Sequence, residues 1–415
     1  MSKFLVKKTQ ELKGSVEIYG AKNAALPILA ATVLADEPCK IRDVPNLSDV
    51  KEMCKLLEHL GAENLRRGKS ISIDCTNVNN FVAPYELVGK FRGSFLVAGP
   101  LLAKYHRAKI SLPGGCPIGS RPIDLHLKGF AAMGAEINYE NGYVELRAKR
   151  LKGTKLYLDF PSVGATENIM MAACLADGQT IIENAATEPE ITDLATFLMC
   201  MGADIKGAGT DTIRINGMRE LRGAAHTVIP DRIEAGTFMA MTALIGGSVA
   251  IKNVVCEHVK PITAKLKEIG AQVQEMEDEI WVTRKGELQP TDIKTLPFPG
   301  FPTDMQSQFT TLMSLVQGTS MIVETVFENR FMHVGELRRM GANIKVEGCT
   351  AVIEGVDSLS AATVKAPDLR AGAALVMAGM CADGDTIIED IRHIDRGYYQ
   401  MEKKVTALGG RMERI

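Results

Sequence analysis

Apolar and polar positions along this chain recur with a long period, about 70 residues, well beyond that of ordinary solenoids. The pair Gly61-Ala62 returns as Gly134-Ala135, Gly202-Ala203, Gly270-Ala271 and Gly341-Ala342, and then as Gly409-Gly410, at nearly even intervals. An amphipathic stretch precedes each pair. In Val50-Lys-Glu-Met-Cys-Lys-Leu-Leu-Glu-His-Leu60 the apolar residues fall at helical spacing, and the glycine supplies a stop. A short alternating strand follows, as in Glu136-Ile-Asn-Tyr139 and Asn343-Ile-Lys-Val346. Each period also holds a stretch that is apolar on nearly all sides: 24–34, 93–103, 165–175, 235–244, 305–316 and 371–381. A helix without a polar face must be buried all round. The pattern predicts six units, each a strand, a buried helix, a strand, an outer helix and two strands. Six buried helices suffice for two cores of three, and Gly20 and Pro230, just before the first and fourth, are candidate hinge points.

Polar residues gather where the buried helices begin. They are Lys22-Asn23, Arg92, Ser162 to Gly164, Asp231-Arg232, Asp304, and Asp368 with Arg370, and they repeat in step with the helices. Capping accounts for the aspartates and Ser162. It does not account for Lys22, Arg92 or Arg232, because a cation at a helix N-terminus opposes the dipole. If these starts converge, dipoles and cations together make an anion site.

Composition narrows the classes. A chain of 415 residues with 46% hydrophobic and 24% charged residues is expected to form about two or three packed domains. A net charge of −2 and 5% aromatic residues argue against a nucleic-acid partner. The nine cysteines are scattered, with no Cys-x-x-Cys pair, so reduced thiols in the cytoplasm are expected and a zinc site is not. Residues 1–8 lack a signal-peptide core, and the apolar run 24–35, with Pro27 inside it, is too short to cross a bilayer. One cysteine differs from Cys174 and Cys381, which sit among aliphatic neighbours. Cys116 lies in Pro113-Gly-Gly-Cys-Pro-Ile-Gly-Ser-Arg-Pro122, too rich in Gly and Pro for helix or strand, with Arg121 nearby. A loop thiol close to cations is a candidate for chemistry.

Taken together, Gly20-Ala-Lys-Asn-Ala-Ala25, Pro113-Gly-Gly-Cys116, Gly119-Ser-Arg-Pro122, Ser162-Val-Gly-Ala165, Glu183-Asn-Ala-Ala186, Pro302-Thr-Asp304, Phe327-Glu-Asn-Arg330 and His393-Ile-Asp-Arg396 resemble the signatures of the UDP-N-acetylglucosamine 1-carboxyvinyltransferase family. The resemblance spans almost the whole chain, in order. It implies an α/β fold of two inside-out barrel domains with helices inside and sheets outside, one over 21–229 and the other over 1–20 plus 230–415. It implies transfer of the enolpyruvyl group of phosphoenolpyruvate to the 3-hydroxyl of UDP-N-acetylglucosamine by addition and elimination, without metal or organic cofactor. Both substrates are small molecules, and no nucleic acid, membrane or obligate protein partner is implied.

The resemblance also distributes roles. Cys116 would deliver a proton to the methylene carbon and could form a covalent adduct. Lys22, Arg121 and Arg396 would clamp phosphate and carboxylate, for which the arginine fork is suited, with Arg92 and Asn23 beside them. Asp304 would be the base near the sugar hydroxyl, or simply a helix cap. Asp368 would assist proton transfer, orient Arg396, or cap. Pro122, Ile123, Asp124, Leu125, Ser162, Val163 and Gly164 match nucleotide-contacting positions, with Val326 near the sugar. Glu188, Asp231, Arg232, Arg330, Arg370 and His126 would be supporting groups. Two other readings remain: an enolpyruvyl transferase for a different acceptor, and a nucleotide-sugar-binding regulator without catalysis.

Overall fold

The computed structural model describes residues 2–112 and 123–415. The chain divides into two compact units. One is built from residues 20–112 and 123–229, the other from 2–19 and 230–415.

Each unit has three repeats, and each repeat contributes one helix to its interior. The interior helices are Lys22–Ala31, Ala98–Tyr105 and Val163–Ala173 in the first unit. In the second they are Arg232–Ile245, Gln306–Met313 and Leu369–Cys381. Their side chains are buried around most of the circumference, as helices lacking a polar face require. Ile28, Leu29, Phe238, Phe309 and Leu375 are fully buried. Each such side chain contributes about 1.5–3 kcal/mol through removal from water.

Four-stranded sheets cover these helices. In the third repeat the order is Lys155–Tyr157, Gln179–Glu183, Thr212–Asn216, Asp204–Lys206. The strands on either side of the interior helix run parallel, and Thr212–Asn216 is antiparallel both to Gln179–Glu183 and to its hairpin partner Asp204–Lys206. Thr180 and Ile182 point inward while Gln179 faces solvent, the alternation of a sheet with one wet face. The outer helices end where the Gly pairs lie. Gly61, Gly134, Gly202, Gly270, Gly341 and Gly409 all have φ between 91° and 107°, a conformation that costs glycine little.

Two features of the strand pairing have no counterpart in the sequence pattern. Leu12–Glu17, which leads into the first interior helix, pairs parallel with Gly247–Lys252 of the fourth repeat. Ala225–Thr227, which leads into the fourth interior helix, pairs parallel with Cys39–Arg42 of the first. The chain therefore passes between units twice, at Gly20 and Pro230. A Cβ on Gly20 would lie 1.9 Å from the Asp43 carbonyl oxygen, so only glycine fits there. In addition, Phe4–Lys7 lies between Asp385–Glu389 and Arg411–Arg414, filling the place of the sixth repeat's last strand.

Local details differ from expectation. The second and fifth interior segments do not begin as α-helix. Arg92–Val97 and Thr303–Met305 are 3₁₀ turns. The Ser94 hydroxyl reaches the Phe91 and Val88 carbonyls at 2.6 and 3.1 Å and tightens the first of them. Cys200 and Cys349 are exposed rather than packed in apolar surroundings. No helix among the described residues is long and apolar enough to cross a membrane.

Phe4 is fully buried within a strand whose partners lie at the opposite end of the chain. Phe4→Ala is expected to destabilise its unit by about 3–5 kcal/mol. Trp281, the only tryptophan, lies in the same unit and is partly exposed. Urea unfolding followed by its fluorescence should show a clearly lowered midpoint, and an unchanged midpoint would contradict a structural role for this strand.

Candidate active site

In the unit containing 230–415, the three interior helix starts meet. Asp231 caps the first, accepting from the Ile233 and Glu234 amides at 2.9 and 3.0 Å. Asp368 caps the third, accepting from the Arg370 and Ala371 amides at 2.7 and 2.9 Å. Capping, one of the readings of Asp368, is thus seen directly.

Asp304, at the second start, is not a cap; Pro302 holds the N-cap position and no side chain closes it. Asp304 sits inside the 3₁₀ turn, which turns its carboxylate toward two arginines. Arg330 Nη2 donates to Oδ1 at 2.5 Å. Arg370 approaches Oδ2 with Nε at 3.2 Å and Nη2 at 3.1 Å. The side chains of Arg330 and Arg370 are 5% and 2% exposed, whereas that of Asp304 is 25% exposed. Two desolvated cations thus hold one carboxylate that keeps an open edge. Such charges are tolerated only when paired.

Other groups fix this clamp. Arg330 Nη1 donates to the Thr303 hydroxyl at 2.8 Å, which itself donates to Glu324 Oε2 at 2.8 Å. Glu324, 2% exposed, also accepts from the Val326 and Phe327 amides at 2.8 and 3.1 Å and so sets the backbone at Val326. His333 is fully buried beside Asp368 and Arg330, and burial pushes its pKa down to about 4. Arg396 occupies the short turn Ile394–Arg396 and is half-buried. Arg232 is half-buried at its helix start, 5.7 Å from the Phe298 ring centroid.

In the unit containing 20–229, Lys22 begins its helix against the dipole, and a carboxylate compensates. Its Nζ lies 3.2 Å from Asp49 Oδ2, with both side chains at least nine-tenths buried. Asn23 beside it is exposed. Arg92 opens the second start, and burial lowers its pKa. Ser162 caps the third start, with its hydroxyl 3.4 Å from the Ala165 amide.

His126 joins these groups. Asn168 Oδ1 accepts from the Gly99 amide at 2.7 Å, so its Nδ2 is the atom facing His126 Nδ1 at 3.0 Å and must donate. The neutral ring therefore carries its proton on Nε2, toward Gly164. Burial first, then Arg92, pushes the His126 pKa down to about 3. Ile123, Asp124 and Leu125 form the start of the helix Asp124–Ala132, with Asp124 exposed and Leu125 half-buried. Glu188 and Glu190 are buried near Glu167, whose carboxyl is raised well above the usual carboxylate range by burial and by these neighbours. Cys116, Arg121 and Pro122 lie outside the described residues.

A family model described as EPSP synthase (3-phosphoshikimate 1-carboxyvinyltransferase) matches residues 6–405. The chain is 60% identical over 415 residues to UDP-N-acetylglucosamine 1-carboxyvinyltransferase 1 of Caldanaerobacter subterraneus, covering 100% of this chain and 99% of the relative. It is 58% identical to UDP-N-acetylglucosamine 1-carboxyvinyltransferase 2 of Carboxydothermus hydrogenoformans, covering all of both.

The chain belongs to the UDP-N-acetylglucosamine 1-carboxyvinyltransferase family.

The enolpyruvyl transferase NikO from Streptomyces tendae superposes with a TM-score of 0.91 at 24% identity, covering 100% of this chain and 98% of that one. EPSP synthase from Acinetobacter baumannii superposes at 0.79 and 18% identity over the whole of both chains. These two likenesses establish the enolpyruvyl transferase fold.

Within that family frame, Asp49, Asn168, Glu324 and Tyr398, whose ring centroid lies 5.4 Å from the Arg370 guanidinium, support the candidate residues without a clear signal in the sequence. Asp49 reads there as an ordinary first-turn acid. Glu324 and Tyr398 touch their partners only through the tertiary fold.

An unfolded histidine takes up a proton as pH falls below about 6.5. Folded His126 does not do so until about pH 3. The unfolded state therefore binds more protons between these values, and stability declines as pH falls through that window. His126→Gln should reduce the loss of unfolding midpoint between pH 7 and pH 5. An undiminished loss would assign the proton uptake to another group.

Proposed function

We propose that this protein transfers the enolpyruvyl group of phosphoenolpyruvate to the 3-hydroxyl of UDP-N-acetylglucosamine and releases phosphate. The observation that carries this reading is 52–60% identity to five relatives of that activity's name over nearly their full lengths. The arginine-clamped Asp304 gives it a chemical focus. The hydroxyl oxygen attacks C2 of phosphoenolpyruvate while C3 gains a proton, giving a tetrahedral intermediate. Loss of a C3 proton and of phosphate then restores the double bond.

Each step sets a demand on the residues. Cys116 supplies the proton to C3. Lys22, Arg121 and Arg396 balance the phosphate and carboxylate, with Arg92 and Asn23 alongside. Asp304 accepts from the sugar hydroxyl. Held by its two arginines, it orients the hydroxyl first and takes the proton as the C–O bond forms. Ile123, Asp124, Leu125, Ser162, Val163 and Gly164, with Pro122, hold the nucleotide, and Val326 lies at the sugar. His126 offers a neutral Nε2 donor beside Gly164. Arg92 and the helix start at Ser162 supply positive potential for a pyrophosphate. The proposed compartment is the cytoplasm.

Phosphate release with each acceptor offered alone tests the reading. UDP-N-acetylglucosamine should support release and shikimate 3-phosphate should not; the reverse would favour the other acceptor, and release with neither would favour a binding protein. Asp304→Asn keeps the size of the side chain and removes its charge. Turnover is expected to fall roughly 100-fold or more, with a much smaller change in affinity for the nucleotide sugar by calorimetry. Near-normal turnover would remove Asp304 from proton transfer.

A further inference from the structure

Arg370 is held on its far side by a buried polar network. Its guanidinium lies 5.4 Å from the centroid of the Tyr398 ring, and Tyr398 is 1% exposed. The Thr237 hydroxyl donates to the Ile233 carbonyl at 2.8 Å, as a threonine one turn along a helix does. Its single proton is thereby used. The Tyr398 hydroxyl, 2.9 Å from Thr237 Oγ1, must then donate to it. Gln308 Nε2 donates to Thr237 Oγ1 at 3.0 Å and approaches Tyr398 Oη at 3.3 Å. Ser307 fixes the other end of that amide, its hydroxyl 3.0 Å from Gln308 Oε1. Thr237, Gln308 and Arg370 come from the three interior helices of one unit. Thr237 and Gln308 are fully buried. A solely structural core would be served as well by apolar side chains of similar shape, without the desolvation of these polar groups.

We propose that Tyr398 is a positioning residue for the transfer reaction, acting through Arg370 to set the orientation of Asp304. This rests on the function proposed above. The tyrosine hydroxyl is tied to Thr237 and Gln308, so the ring can take up only one placement. The ring backs the guanidinium of Arg370, and two nitrogens of that guanidinium meet Asp304 Oδ2. Arg330 fixes Oδ1 independently. The exposed edge of the carboxylate is therefore aimed by a chain of contacts that begins in the apolar core. A shift of about an ångström at a reacting group costs as much as roughly 100-fold in rate.

Tyr398→Phe in the full-length enzyme removes the hydroxyl and keeps the ring. Turnover is expected to fall roughly 10-fold or more, with KM for both substrates changed less than about twofold. In the Asp304→Asn background the same substitution should have little further effect, because its route to the chemistry is already cut. Thr242→Val, on the same helix as Thr237 but bonded only to the Phe238 carbonyl, serves as the control for loss of a buried hydroxyl; it should lower the unfolding midpoint and leave turnover unchanged. A crystal structure of Tyr398→Phe should show the Arg370–Asp304 contacts lengthened or rotated. That arm needs no activity, so it decides the proposal even if the acceptor is not UDP-N-acetylglucosamine. Equal losses of turnover with and without the Asp304 carboxylate, or an unmoved Arg370 in the variant crystal, would overturn it.

Discussion

A helix that is apolar on every side has no face to offer water, and this constraint organises the whole chain. Six such helices force the polar elements outward. Sheets with one wet face close around them, and amphipathic helices fill the seams. Beyond their ends, the interior helices carry buried polar groups chiefly in Gln306–Met313, where glutamines, Ser307 and threonines lie out of water. The starts carry unsatisfied amides and a positive dipole, which Asp231, Asp368 and Ser162 satisfy, while Lys22 and Arg92 stand there against the dipole. The candidate site residues are therefore concentrated at helix starts, because the remainder of each interior helix is committed to packing.

The electrostatics follow from the same commitment. Lys22 stands at a helix start where its charge is opposed, and Asp49 compensates it out of water. Arg330 and Arg370 are buried deeper and share one carboxylate. His126 and His333 solve the problem differently, remaining neutral in their surroundings. Charge persists at Lys22, Arg330 and Arg370, where a carboxylate meets it; at His126 and His333 burial outweighs what their neighbours offer.

Much of this is legible in the sequence because its signals are local. The left-handed glycine after each outer helix, the all-apolar interior segments and the polar residues at their starts each occupy a few neighbouring positions. The 3₁₀ turns at Arg92 and Thr303 are not legible, because they depend on side-chain bonds such as those of Ser94. Asp304 stays ambiguous for a related reason. An aspartate after Pro-Thr has the local look of a cap, and only the long-range arrival of Arg330 and Arg370 shows that its carboxylate faces elsewhere. The exchanged lead strands have no local signal at all. Leu12–Glu17 and Gly247–Lys252 are ordinary strands, and nothing in either names the other.

Those exchanged strands, with Phe4–Lys7, bear on how the molecule is made. A ribosome produces the chain in one direction, and the two units become completable at different moments. The unit of residues 20–229 has every strand of its sheets once Ala225–Thr227 has emerged. The other unit has two early strands, Phe4–Lys7 and Leu12–Glu17. The second waits for Gly247–Lys252, the first until Arg411–Arg414 is complete. One unit thus has all its strands part-way through synthesis, while the other still lacks the partners of Phe4–Lys7. Unpaired strands of this kind are where misassembly begins. The charged residues Lys3, Lys7 and Lys8 around Phe4–Lys7 match acidic partners on the late strand Asp385–Glu389 and at Asp383.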